Sequence, residues 1–440
     1  MVFQLIYFII ESLKLEAMEQ TANRYTQSII IIGILFFIFG FVTWLNGPLI
    51  TYVKLAFSLD TDSKAFLVTT AFYMAYFFLA LPSSWILERT GMKKGMALGL
   101  LVMAVGTFVF GQFATHRNYP VSLVGLFVIG SGLSILQTAS NPYISIIGPI
   151  ESAAKRISIM GICNKVAGIL SPIVLGALVL KDINKLEEKV SLATSLQEQE
   201  QILSAFAATI YLPYMIMAAI LAVLAYWILK SGLPEIKASD VNTQPTGTNT
   251  KTSIFQFAYL WLGAFCIFVY VGAEVMAGDA IGTYGKGFNI PTDETKYFTS
   301  LTLVAMLVGY VAGLSTIPKI ISQQTALKIS AWLGIFFTVA ALLTKGYVSV
   351  GFVAALGLAN AMMWPAIWPL AIDGLGKFTE RGSALLIMGI AGGAIIPKIF
   401  ASLKEQYDFQ WTFFAIMLPC YLFILFFAMR GHLIGKAKSS

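Results

Sequence analysis

Residues 126–149 read LFVIGSGLSILQTASNPYISIIGP, a run without one charged side chain. About 20 mostly apolar residues suffice for one helix to cross roughly 30 Å of hydrocarbon. In lipid every backbone polar group must be paired inside its own segment, so helix is the state that this stretch dictates. The run is nevertheless interrupted by Gln137, Thr138, Ser140 and Asn141. Such groups are costly in hydrocarbon unless they face one another or a cavity. Gln137 and Asn141 are four apart and lie on one helix face. A membrane helix with a polar inner face is therefore expected.

Working outward, this run belongs to an apolar segment at about 120–147, and eleven more follow the same rule. They fall at about 28–50, 64–87, 95–114, 155–180, 206–229, 254–280, 297–318, 325–344, 347–372, 382–403 and 410–430. The whole chain agrees: of 440 residues 58% are apolar and 12% charged, against roughly 25% charged in an ordinary soluble domain. That excludes a soluble globular enzyme, a disordered chain and a nucleic-acid binder. A β-barrel would show short alternating segments instead. The expected fold class is an all-α integral membrane protein of twelve transmembrane helices.

The formal charge of +7 sits mainly in short loops, where topology explains it better than nucleic acid does. Of the 29 Lys and Arg, seventeen lie on the side of the tails and eleven on the other, with Lys165 inside a span. Basic residues favour the cytoplasm, so both termini are expected there, in a multi-pass inner-membrane protein. Met1–Ile10 is apolar but short, with no basic region before it and no cleavage signature, so no cleaved signal peptide is expected. Residues 1–27 read as a cytoplasmic or interfacial tail. The connection 181–204 is charged and Gln-rich and suits a short amphipathic helix. The connection 230–253, rich in Thr, Pro, Asn and Gly, reads as a flexible cytoplasmic linker between six-helix bundles at 28–229 and 254–430, with a tail at 431–440. An internal echo supports this division: Asn141-Pro142 is matched by Trp364-Pro365, and Gly168 to Pro172 by Gly393 to Pro397. Cys163, Cys266 and Cys420 lie in apolar runs without metal or redox spacing.

The polar residues within the spans point to a ligand. The first span offers Trp44 and Asn46, the fourth Gln137 and Asn141, the fifth Asn164, and the tenth Asn360, Trp364 and Trp368. Amides supply directional donors and acceptors, and indole faces cover the C–H surface of a ring. This set suits a neutral polyol such as a sugar, although Asn and Gln can also simply glue helices together. No arginine lies deep in a span, as an anionic solute would require. Lys165, Glu274 and Asp279 are candidates for ion coupling, through a proton on a carboxylate or through Na⁺. A structural ion pair is the plainer alternative. Between the second and third spans, Glu88, Arg89, Gly91, Lys93 and Lys94 form a short charged loop able to brace helix ends during a gating motion. Gly389, Gly392 and Gly393 permit close packing in the eleventh span.

The stretch Leu87 to Lys94 resembles the loop signature of the major facilitator superfamily. GFVTWLNGPLI at 40–50, AFYMAYFFLALPSSWILERTG at 71–91, the run at 126–149, YVGAEVMAGDAI at 270–281 and NAMMWPAIWPLAIDGLG at 360–376 are similar to the bacterial fucose/glucose/galactose symporters. The resemblance implies two six-helix bundles, a central sugar site and cation-coupled uptake by alternating access. It also implies functional acids in spans 1 and 4, at positions that hold Gly47 and Gln137 here, so the coupling charge is expected to have moved toward span 7 and Lys165. Asn164 and Glu274 match polar positions of the family. Na⁺, H⁺ and uncoupled transport all stay open, as does an exporter of another small neutral solute. A channel would need a repeated filter or charged ring. A metal or His-based enzyme would need a cluster that His116 and His432, in a loop and a tail, do not form. The expected partners are a small sugar and membrane lipid, with no cofactor beyond a coupling ion, no nucleic acid, and a monomeric state.

Overall fold

The computed structural model describes residues 25–147, 153–235, 253–317, 320–375 and 378–436. Residues 1–24 of the expected N-terminal tail, 236–252 of the expected linker 230–253 and 437–440 of the expected C-terminal tail lie outside them. Among the described residues, twelve helices are long and apolar enough to cross a membrane. Spans 1 to 6 are Tyr25–Ala56, Asp62–Thr90, Met92–Thr115, Tyr119–Ile144, Arg156–Leu178 and Leu196–Lys230. Spans 7 to 12 are Ala258–Gly278, Thr292–Thr316, Gln323–Leu343, Gly346–Ile372, Arg381–Leu403 and Phe409–Met429. Phe78, Trp85, Val105 and Phe108 are exposed along them, as a surface that meets hydrocarbon requires. The connection 181–204 does carry a short helix, Ile183–Leu192.

The packing repeats with a period of six spans. Span 3 packs along spans 4 and 6, and span 2 along span 4. In the second half span 9 packs along spans 10 and 12, and span 8 along span 10. The two six-helix bundles meet where span 5 lies against span 8 and span 2 against span 11. Because the number of spans is even, span 1 begins and span 12 ends on one side, here called the terminal end; the other is the distal end.

Spans 1, 10 and 11, which border the space between the halves, are each broken near the midpoint, and proline explains two of these breaks. A proline lacks the N–H that the carbonyl four residues earlier expects. Pro48 leaves the Trp44 carbonyl without its donor, and span 1 turns at Trp44 and Leu45 before resuming at Asn46. Pro365 does the same to Ala361, and span 10 ends its first segment at Asn360 and resumes at Met363. Span 11 passes through one tighter turn at Gly389–Ala391.

The distal end is sealed by polar ties between the halves. Asp62 takes ion pairs from Lys54 of its own half and Lys404 of the other. The Ser63 amide donates to Glu405 at 2.9 Å, and its hydroxyl meets Ser402 and Lys398. Thr292 donates to Glu187 at 3.1 Å, and Lys296 to the Leu180 carbonyl at 2.7 Å. Lys286 stands 3.9 Å from Glu187. Burial holds its ammonium below the ordinary lysine value, with Glu187 pulling the other way.

At the terminal end Gly91 has φ +80°, a conformation open to glycine at little cost, and it turns span 2 directly into span 3. The Lys93 amide donates to Glu235 at 3.0 Å and its ammonium to the Ser231 carbonyl at 2.7 Å. Those contacts tie the loop to the exit of span 6 in the same half. Glu88, Arg89 and Lys94 are exposed.

Candidate functional site

A cavity of about 130 Å³ lies between the halves, reaching from mid-membrane toward the terminal end. One water requires roughly 10–15 Å³ by this measure, so the space suits a solute of about a dozen non-hydrogen atoms. Its walls include residues flanking two breaks, Phe36 to Trp44 of span 1 and Trp364 with Pro365 of span 10, together with Tyr270 to Val275 of the unbroken span 7. Gln137 and Asn141 line it together, as their four-residue spacing required, and Asn164 and Lys165 enter from span 5.

The polar lining is mostly uncharged. Gln137 Nε2 donates to the Tyr76 hydroxyl at 2.7 Å, which leaves its carbonyl oxygen for a ligand. Asn164 Nδ2 reaches the Phe36 carbonyl at 3.5 Å. The Thr43 hydroxyl is buried and has no hydrogen-bond partner among the described residues. Trp364 offers an indole face, supported from behind by Trp368 at a centroid distance of 5.3 Å.

One charge pair enters the wall, and it joins the halves. Lys165 Nζ lies 2.9 Å from Glu274 Oε1, with the two side chains 8% and 13% exposed. The same ammonium sits 4.6 Å from the centroid of the Trp44 ring. Such a buried pair contributes no net charge to the cavity, and removal of either member strands the other.

Three sequence-expected ligand contacts are placed elsewhere, and Asp279 lies outside the cavity wall. Asn46 is 1% exposed and stands beyond the turn in span 1, directed toward Tyr73. Asn360 is fully buried and accepts from the Tyr421 hydroxyl at 2.9 Å, inside the second bundle. The break after Asn360 separates it from Trp364, which does line the cavity. Trp368, one turn farther toward the terminal end, is second-row support. Asp279 follows the last residue of span 7 and is 1% exposed. The place of a side chain on Gly47 is taken first by the Thr299 hydroxyl of span 8, with Asp279 Oδ1 beside it at 3.3 Å from where a Cβ would stand.

The residues missed by sequence reasoning are tyrosines. Tyr73, Tyr76, Tyr270 and Tyr310 line the cavity, each able to donate and accept. The i,i+3 spacing of Tyr73 with Tyr76, and the i,i+4 spacing of Tyr270 with Glu274, were the available signals.

The Major Facilitator Superfamily pattern matches residues 32–397. The chain is 32% identical over 418 residues to the glucose/galactose transporter of Brucella abortus biovar 1 (strain 9-941), covering 93% of this chain and 95% of that one. It is 27% identical over 405 residues to the L-fucose-proton symporter of Escherichia coli (strain K12), covering 90% of each. Among solved structures, the transporter FucP in the outward conformation superposes with a TM-score of 0.72 at 23% identity, over 92% of this chain and 98% of that one.

Proposed function

This chain belongs to the Major Facilitator Superfamily, and from that premise we propose that it carries a neutral monosaccharide of the glucose, galactose or fucose kind across the inner membrane, coupled to a cation. The observation that carries this reading is the cavity between the halves, whose wall is amide, phenol and indole with a self-neutralised charge pair. Sugar hydroxyls need paired donors and acceptors, and the Trp364 face covers a pyranose C–H surface. The solute leaves unchanged, so the work is binding and release rather than bond-making.

Transport follows from the asymmetry of the ends. With the distal seal intact, the cavity reaches toward the terminal end. Parting Ser63 and Asp62 from the tip of span 11, while closing the terminal end, turns the same cavity to the other side. The distribution of Lys and Arg supports cytoplasmic termini, and in that orientation the distal seal faces outward. The carrier works as a monomer, since each chain holds both halves of its cavity. Lys165 and Glu274 sit where substrate and both halves meet, and an exchange of partners there couples solute occupancy to rocking.

The test is uptake of labelled glucose, galactose and fucose into proteoliposomes under separately imposed H⁺ and Na⁺ gradients. Accumulation driven by one gradient supports coupled symport and names the ion. Saturable equilibration without accumulation would leave the sugar and make the protein a facilitator. No movement of any hexose would overturn the reading.

A further inference from the structure

A second cavity, of about 330 Å³, lies at the distal end and shares no lining residue with the central one. The first half contributes Thr51 and Lys54 of span 1, Ser58 just past it, Glu187 of the helix Ile183–Leu192, and Gln199 of span 6. The second half contributes Lys286, the last residue of the helix Ile281–Lys286. We propose that this cavity is a binding site for a small oxyanion, a carboxylate or a phosphate, complete only while the distal end is closed.

The wall selects the sign of the charge. The Lys286 ammonium, the Thr51 hydroxyl and the Gln199 amide make no side-chain hydrogen bond among the described residues. The carboxylate that Lys286 faces, Glu187, stands 3.9 Å away, beyond hydrogen-bonding reach. Both oxygens of Glu187 instead accept the Thr292 hydroxyl, at 3.1 and 3.2 Å. Lys54 and Lys404 share a single carboxylate, that of Asp62. Three ammoniums thus meet two carboxylates around the cavity, a surplus of one positive charge. Lys54 and Lys404 both act against the charge on Lys286.

An oxyanion between Lys54 and Lys286 cancels that surplus and takes charge-assisted hydrogen bonds, while Thr51 and Gln199 donate to its remaining oxygens. A cation would add to the surplus, and a neutral polyol would leave it uncompensated. The volume admits phosphate with its waters or a whole sugar acid. Binding does not depend on which solute the central cavity carries. Its effect on the seal rests on the alternation proposed above. Lys286 belongs to one half and the other donors to its opposite, so opening the distal end disperses the set. The anion therefore favours closure: at about ten times its Kd, the closed-to-open ratio rises about tenfold.

The test is thermal unfolding of the purified protein in an uncharged maltoside detergent, titrated with inorganic phosphate and, separately, with gluconate at constant ionic strength. A saturable rise in Tm with either anion is expected; a response to one alone supports the site and names its ligand as phosphate or carboxylate. K286M is expected to weaken the apparent affinity about tenfold or more. E187Q is expected to strengthen it by removing the competing carboxylate, and K185M, at a lysine 74% exposed, to leave it unchanged. No stabilisation, or stabilisation that K286M and E187Q leave as it is, overturns the proposal. Should K286M fail to fold, the unmutated protein decides the matter. Burial holds Lys286 below the ordinary lysine value, which favours its acylation, and mass spectrometry is expected to show the anion protecting Lys286 but not Lys185. Protection of neither, or of both alike, refutes the site. Ser402 belongs to the seal, so the anion is also expected to slow modification of S402C by an impermeant maleimide, with Cys163, Cys266 and Cys420 replaced. Binding without that slowing overturns completion by closure. Hexose counterflow on the same samples keeps this outcome apart from that of the transport reading, since the anion binds whether or not hexose moves.

Discussion

Replacing Glu274 by Gln keeps the shape of the cavity wall but removes one charge of the pair that joins the halves. At 2.9 Å, and with an effective dielectric of about 20, the direct attraction with Lys165 is about 6 kcal/mol before desolvation. Desolvation offsets much of that attraction, and breaking a buried pair from one side costs about 3–5 kcal/mol. The Trp44 ring at 4.6 Å recovers only part, about 0.5–2 kcal/mol, through its cation–π contact. A net destabilisation of about 2–4 kcal/mol is expected for E274Q, and similarly for K165M. The double variant, which strands no charge, is expected to regain most of it. Chemical denaturation of the four purified proteins in one detergent gives the cycle, with a coupling energy of about 2 kcal/mol or more expected. Additive single effects would refute the reasoning, because they would mean that the two side chains do not share a desolvated contact. Gradient-driven sugar accumulation, measured beside the cycle, is expected to fall in both single variants.

Further perturbations separate the ligand wall from its supports. Q137A removes a cavity amide held on Tyr76, and a loss of about 1–3 kcal/mol in sugar binding is expected, read as a rise in the Kd measured by scintillation proximity. N360A breaks the Tyr421 contact inside the second bundle; it is expected to lower stability by about 1–2 kcal/mol while leaving sugar Kd within twofold. Gly47→Val places a side chain against Thr299 and Asp279, so the folded protein is expected to hold its distal end open, which labelling of an S402C variant by an impermeant maleimide detects. D62N removes the charge shared by Lys54 and Lys404 and is expected to shift the same labelling in the same direction, but by less.

Much of this molecule was legible from residue order because lipid leaves a chain few choices. Twelve spans follow from apolar runs, and the six-plus-six division from the polar connection 230–253 and the paired prolines; span 3 and span 9 pack on equivalent partners. The facing of Gln137 and Asn141 followed from helical spacing and is realised in the cavity. What periodicity could not show is what happens past a break. Asn46 and Asn360 were assigned to the ligand as amides accompanying Trp44 and Trp364, yet Asn46 follows the turn in span 1 and Asn360 precedes the break in span 10, and neither lines the cavity. Amides and indoles drew notice as polar intruders in apolar runs, whereas Tyr73, Tyr76, Tyr270 and Tyr310 blended with ordinary aromatic packing. The pairing of Lys165 with Glu274 joins residues 109 positions apart, which only the meeting of the two halves reveals.

The central claim is that the cavity between Gln137, Asn164 and Trp364 carries a hexose. Counterflow tests it without any assumption about the coupling ion: proteoliposomes are loaded with unlabelled glucose or galactose and diluted into a trace of the labelled sugar. A transient overshoot of label, abolished in protein-free liposomes and weakened in Q137A, is the predicted result. Label that equilibrates no faster than in protein-free liposomes, for every hexose tried and with folded protein present, would contradict it.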